Sequence, residues 1–117
     1  MRAGTFFFAL ILFSLVWAGT DEDCYKGAVR DCKARDAEAC LLQAVYQEFG
    51  VGTPIDEKKS FNSYKLACLM GSAEACYVIG WKTYGRGSDA GALSYFDQAC
   101  KKEHPKACAA IEKLKPK

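Results

Sequence analysis

Seven cysteines are the residues best able to do chemistry in this chain of 117 residues. A cysteine sulfur can be a nucleophile, a zinc ligand or half of a disulfide. Six of the seven share one spacing: Cys32 and Cys40, Cys68 and Cys76, and Cys100 and Cys108 each stand eight residues apart. Their neighbours agree as well. Ala37-Glu38-Ala39-Cys40 recurs as Ala73-Glu74-Ala75-Cys76, and Ala67-Cys68 recurs as Ala99-Cys100. Inside one continuous helix such a pair would be about 12 Å apart. A disulfide needs Cα atoms within about 7 Å. Either the pairs are unbonded or the chain reverses between them. Gly71-Ser72 supplies a reversal in the middle pair. His104-Pro105 supplies one in the last, because proline drives the preceding residue out of the helical region. Arg35-Asp36 is a weaker turn in the first pair. Cys24 also lies eight residues before Cys32, so Cys24–Cys32 is a competing bond. That bond would break the repeat register, and only Gly27 could help the chain turn there. Cys24 is therefore expected to be unpaired, as a free thiol or a link between two chains.

The compartment decides between zinc and disulfides. Arg2 is followed by an apolar run from Phe6 to Trp17, broken only by Ser14; small Ala18 and acidic Asp21-Glu22-Asp23 come next. A charged start, an apolar middle and a small-residue cleavage site make a secretory signal peptide. The run is shorter than the roughly 20 residues that span a bilayer. Acidic residues before Cys24 argue against lipid attachment. Residues 1–18 are thus expected to be a signal peptide and residues 19–117 one exported domain, periplasmic or extracellular, with no stable membrane anchor. Disulfides are then the default, and neither a metal nor another cofactor is expected.

The whole chain carries a net charge of +2. Charges alternate in sign along it, and only Lys113, Lys115 and Lys117 form a basic run, which reads as a solvated end. A nucleic-acid partner would call for a basic stripe, which is missing.

The cysteine pairs also set a period, 36 residues from Cys32 to Cys68 and 32 from Cys68 to Cys100. Periods of this size belong to stacked helical arrays. Ala37–Phe49, Lys58–Leu69, Ala73–Tyr84 and Ala90–Lys101 read as helices, rich in apolar residues and free of proline. Gly50-Val51-Gly52-Thr53-Pro54 and Gly85-Arg86-Gly87-Ser88 end two of them, and Asp56 or Asp89 can cap the helix that follows. No stretch alternates as a strand would. The expected fold is all-α: a short solenoid of antiparallel helix pairs, with disulfides joining consecutive helices.

This pattern resembles the Sel-like repeat family, relatives of the tetratricopeptide repeats. It is most similar to the cysteine-rich exported subgroup, the Helicobacter cysteine-rich proteins. The residues that carry the likeness are Cys40, Gly50, Gly52, Asp56 and Ala67-Cys68, repeated as Cys76, Gly80, Gly85, Gly87, Asp89 and Ala99-Cys100. Two full units fit, with a half unit at each end. The first unit departs from the pattern, with Gln43-Ala44 where the second has Ile79-Gly80.

The resemblance implies two classes of function. Such repeats act as scaffolds for proteins or peptides, and some cysteine-rich relatives are described as β-lactam binders or slow β-lactamases. A serine β-lactamase needs Ser-x-x-Lys. None of Ser60, Ser63, Ser72, Ser88 and Ser94 has lysine three positions on, and Lys82-Thr83 continues to Tyr84 rather than to glycine. The one histidine, His104, reads as a solvated loop residue. Binding is therefore favoured over catalysis. In the resembled fold the first helix of each unit lines the concave face. Ile79, Gly80 and Thr83 would then face the next helix. Tyr77, Trp81 and Tyr84 fall at i, i+4 and i+7 and form either a candidate binding row or part of the packed core. The corresponding row of the first unit is Leu41, Val45 and Glu48.

Overall fold

A side chain able to accept free backbone N–H groups stands before each helix. The computed structural model describes residues 19–115, and these form six helices. They are α1 (Asp21–Lys33), α2 (Ala37–Phe49), α3 (Glu57–Leu69), α4 (Ala73–Gly85), α5 (Asp89–Lys101) and α6 (Pro105–Leu114). Thr20, Asp36, Asp56, Ser72, Ser88 and His104 are their N-caps. Each cap satisfies donors that the first turn of a helix leaves unpaired. Asp56 caps α3 as expected. Asp89 does not cap α5: Ser88 takes the position, leaving Asp89 in the first turn, where its charge faces the positive end of the helix dipole. The anticipated helices gain one residue at the start of α3 and of α5 and one at the end of α4. Among the described residues there is no strand. The expected signal peptide, residues 1–18, lies outside the described residues.

Consecutive helices pack on one another, and three disulfides tie the end of one to the start of the next. Cys32–Cys40 joins α1 to α2, Cys68–Cys76 joins α3 to α4, and Cys100–Cys108 joins α5 to α6, with Cα separations of 4.5, 4.6 and 4.8 Å. The expected reversals make these distances attainable. One residue at the same place in each turn has positive φ: Arg35 at 70°, Gly71 at 110° and Glu103 at 66°. Only the middle turn uses the residue type that adopts this region without steric cost. Cys24 is a free, exposed cysteine on α1. It shares one unbroken helix with Cys32, which keeps the two apart.

The core is built from small residues and a few large ones. Ala44, Ala67, Ala75, Cys76, Ile79, Ala92, Phe96 and Ala99 are all fully buried. Small side chains let adjacent helices approach closely, and Tyr64 and Phe96, at matching positions of α3 and α5, fill the space between. A polar ladder crosses the first half of the array. Gln43 Nε2 donates to Ser63 Oγ (2.9 Å), Ser63 Oγ donates to Gln47 Oε1 (2.7 Å), and Gln47 Nε2 donates to the Tyr25 hydroxyl (3.0 Å). These bonds satisfy the polar atoms of buried Gln47 and Ser63, which would otherwise be costly to desolvate.

Candidate functional site

Tyr77, Trp81 and Tyr84 lie in ring contact along α4, although they are not equivalent. Gly80 is buried against Phe96 of α5, and Ile79 beside it is fully buried as well. Trp81 is 37% exposed and Tyr84 40% exposed. Tyr77 is half-buried and packs on the core. The rings meet edge to face, Tyr77 with Trp81 at 6.4 Å and Trp81 with Tyr84 at 5.7 Å between centroids. Phe96 lies beneath, 5.0 Å from Trp81 and 6.0 Å from Tyr77. Trp81 thus rests one side on the core and offers the remainder to solvent.

His104 departs from the reading of a solvated loop residue. Its side chain is only 12% exposed. The Ala107 N–H donates to His104 Nδ1 at 3.3 Å, which makes the imidazole the N-cap of α6. With Nδ1 accepting, Nε2 carries the proton and donates to Glu74 at 2.7 Å. The ring stacks on Tyr77 with centroids 4.5 Å apart. This contact fixes one end of the aromatic row and links α4 to α6. The Pro105 signal correctly marked a turn but carried no information about a ring 27 residues away in sequence.

The matching residues on α2 are turned inward rather than left open to solvent. Leu41 and Val45 pack against the core, and Glu48 is engaged by two neighbours. Lys82 Nζ approaches Glu48 Oε1 to 2.5 Å, and the Tyr64 hydroxyl donates to Oε2 at 2.5 Å. Burial works to raise the Glu48 carboxyl, yet the bonds from Lys82 and Tyr64 outweigh it and hold the group below the ordinary carboxylate value. Burial and the Glu48 carboxylate together push the Tyr64 hydroxyl far above the ordinary phenol value. The apolar residues that α2 exposes are instead Leu42 (47%) and Phe49 (65%). The Glu48–Lys82 pair bridges α2 and α4, so these two first helices are neighbours.

Four of the five serines among the described residues have structural partners for their hydroxyls, and the fifth, Ser94, is exposed. Ser60 Oγ donates to the Ala44 carbonyl (2.8 Å), Ser63 belongs to the glutamine ladder, and Ser72 and Ser88 cap helices. Among the described residues no serine hydroxyl is hydrogen-bonded to lysine or histidine, the partner an acyl-transfer nucleophile needs. Nor do these residues contain a group of three His, Cys, Asp or Glu placed to hold a metal ion. No helix among them is long and apolar enough to cross a membrane.

No family model matches the sequence, and no curated protein matches it. Among solved structures the chain is similar to a Sel1 repeat protein from Oxalobacter formigenes, with a TM-score of 0.68 and 22% identity. The match covers 79% of this chain and 39% of that protein. The likeness extends to the helical array and does not single out the Helicobacter subgroup. Stacked antiparallel helices, matching junctions and this neighbour together establish that the chain has the Sel1-repeat fold.

Proposed function

We propose that the chain is an exported, disulfide-stapled scaffold that binds a protein or peptide across the face shared by α2 and α4. The observation that carries this reading is the row Tyr77, Trp81 and Tyr84, with Trp81 and Tyr84 more than a third exposed. Large aromatics left open to water are characteristic of interaction sites, and Trp and Tyr dominate binding hot spots. Leu42 and Phe49 add exposed apolar area on α2. Three disulfides suit an oxidising setting, periplasmic or extracellular. Exposed Cys24 offers a link between two chains. Hydrolysis of β-lactams is the weaker reading, since Ser60, Ser63, Ser72 and Ser88 are engaged in caps and helix contacts and exposed Ser94 has no lysine or histidine among the described residues bonded to its hydroxyl.

Panning a displayed peptide library on the oxidised chain tests the proposal. Trp81 is the one tryptophan outside residues 1–18, so its fluorescence reports directly on the row. Selected peptides should shift its emission to the blue and lose binding to Trp81→Ala and Tyr84→Ala. Peptides that bind those folded variants as tightly as the parent chain would refute it.

A further inference from the structure

A second feature lies apart from the aromatic row. The C-terminal ends of α2 and α4 and the start of α3 enclose a cleft of about 180 Å³, lined by Glu48, Glu57, Ser60, Phe61, Lys82 and Arg86. Its charges are not equivalent. Glu48 has both oxygens engaged, one by Lys82 and one by Tyr64, so that pair is internally compensated. Ser60 Oγ is committed to the Ala44 carbonyl. Arg86 differs. Its guanidinium lies over the Phe61 ring, with Cζ 3.7 Å from the centroid. Among the described residues it has no carboxylate within ion-pairing distance and no side-chain hydrogen bond. Stacking uses the flat face of a guanidinium and leaves its N–H edge available. The ring restricts where that edge can point, so part of the ordering cost of a bidentate contact is already met.

We infer that this cleft binds a carboxylate, held by the N–H edge of Arg86. Planar, two-oxygen geometry matches the guanidinium fork, and a small cleft suits the end of a side chain or of a peptide better than a folded surface. Glu57 is the one lining carboxylate without an ion-pair partner among the described residues. It tunes the site by opposing an incoming anion. The inference does not depend on the aromatic row, because neither Trp81 nor Tyr84 lines this cleft.

The test uses the full oxidised chain, labelled with nitrogen-15, and follows the Arg86 Nε–H signal. N-acetyl-leucine presents a chain-terminal carboxylate and N-acetyl-aspartate amide a side-chain one; N-acetyl-leucine amide presents none. At least one of the two acids should shift the signal saturably while the uncharged amide does not, and the tighter acid names the source of the group. Arg86→Ala should weaken that binding about tenfold or more, the loss expected for charge-assisted hydrogen bonds. Arg86→Lys should recover only part of it, and Glu57→Gln should tighten it. Trp81→Ala should leave it unchanged, which separates failure here from failure of the aromatic row. Equal response to acid and amide, tighter binding of inorganic phosphate than of either acid, or full affinity in a folded Arg86→Ala chain would each overturn the inference.

Discussion

Gly80 lies directly against the Phe96 ring: a β-carbon built on Gly80 would sit 2.5 Å from Cε1 and 2.7 Å from Cδ1. Phe96 is fully buried and supports Trp81 and Tyr77 from below, so it has little room to withdraw. Gly80→Ala should therefore cost about 1–3 kcal/mol, the usual penalty for overpacking a core. Gly85 is also helical but meets nothing within 4 Å. Gly85→Ala should be neutral or stabilising by up to about 1 kcal/mol. Urea denaturation of the two oxidised variants measures the contrast, and equal effects would show that helix propensity, not the Phe96 contact, governs both sites.

The disulfides should differ in what their loss disturbs. Each closes a short loop worth about 2–3 kcal/mol on the chain-entropy account. In an array whose units touch mainly their neighbours, damage stays local at an end and spreads from the middle. Cys68→Ala/Cys76→Ala removes the central staple and should lower the single melting transition by about 10 °C or more. Cys100→Ala/Cys108→Ala should chiefly free α6, seen as faster amide exchange from Lys106 onward. Non-reducing peptide mapping of the parent chain should recover three links, with Cys24 free or joined to a second chain. Recovery of Cys24–Cys32 as the main species would contradict the register.

Much of this array could be read from the sequence because its signals are local. The eight-residue cysteine spacing, the glycine breakers and the Asp36 and Asp56 caps act within a few residues of themselves. Arg35 and Glu103 were less legible, because a non-glycine residue with positive φ has no distinctive composition. Their equivalence to Gly71 emerges only when the junctions are superposed on the cysteines. The exposed row on α2 could not be foreseen from periodicity alone. Glu48 is turned inward by Tyr64 and Lys82, which lie 16 and 34 residues away, and that long-range pairing leaves Leu42 and Phe49 outside. The burial of His104 is hidden from local sequence for the same reason, its place being set by Tyr77 and Glu74 on another helix.

The Glu48 network should be visible in the acid branch of the stability profile. A carboxyl whose folded-state value is lowered adds stability above its unfolded value and loses it as pH falls through the folded one. For Glu48 the loss begins near its ordinary value of 4.5 and continues below it. Tyr64, shifted upward, contributes below its ordinary value of 10.0 and is not a factor in acid. Glu48→Gln should be less stable than the parent chain at neutral pH and show a flatter decline below that range. Parallel acid branches would mean that other carboxylates dominate.

Hydrolysis of a chromogenic cephalosporin should not exceed the buffer rate. Ser60 and Ser63 are buried and hydrogen-bonded to the neighbouring α2, Ser72 and Ser88 hold helix N-termini, and exposed Ser94 has no lysine or histidine among the described residues bonded to its hydroxyl, so none has a base poised to remove its proton. A saturable rate that survives repurification and disappears on disulfide reduction would reverse the order of the two functional classes.

Trp81→Ala separates a binding residue from a core residue. Its ring touches Phe96, Tyr77 and Tyr84, so removal will cost some packing. The residue is already more than a third exposed, and the void left would open to solvent rather than form a sealed cavity. The expected cost is about 1–2 kcal/mol, below the 3–5 kcal/mol typical of a fully buried aromatic. Phe96→Ala, at a position with no exposure, should reach that higher range and serves as the internal reference. Thermal melts of the oxidised chains give both numbers. A Trp81→Ala loss equal to that of Phe96→Ala would place the indole in the core and remove the row as a binding surface. A small loss accompanied by abolished peptide binding is the outcome that the exposed geometry of Trp81 and Tyr84 requires.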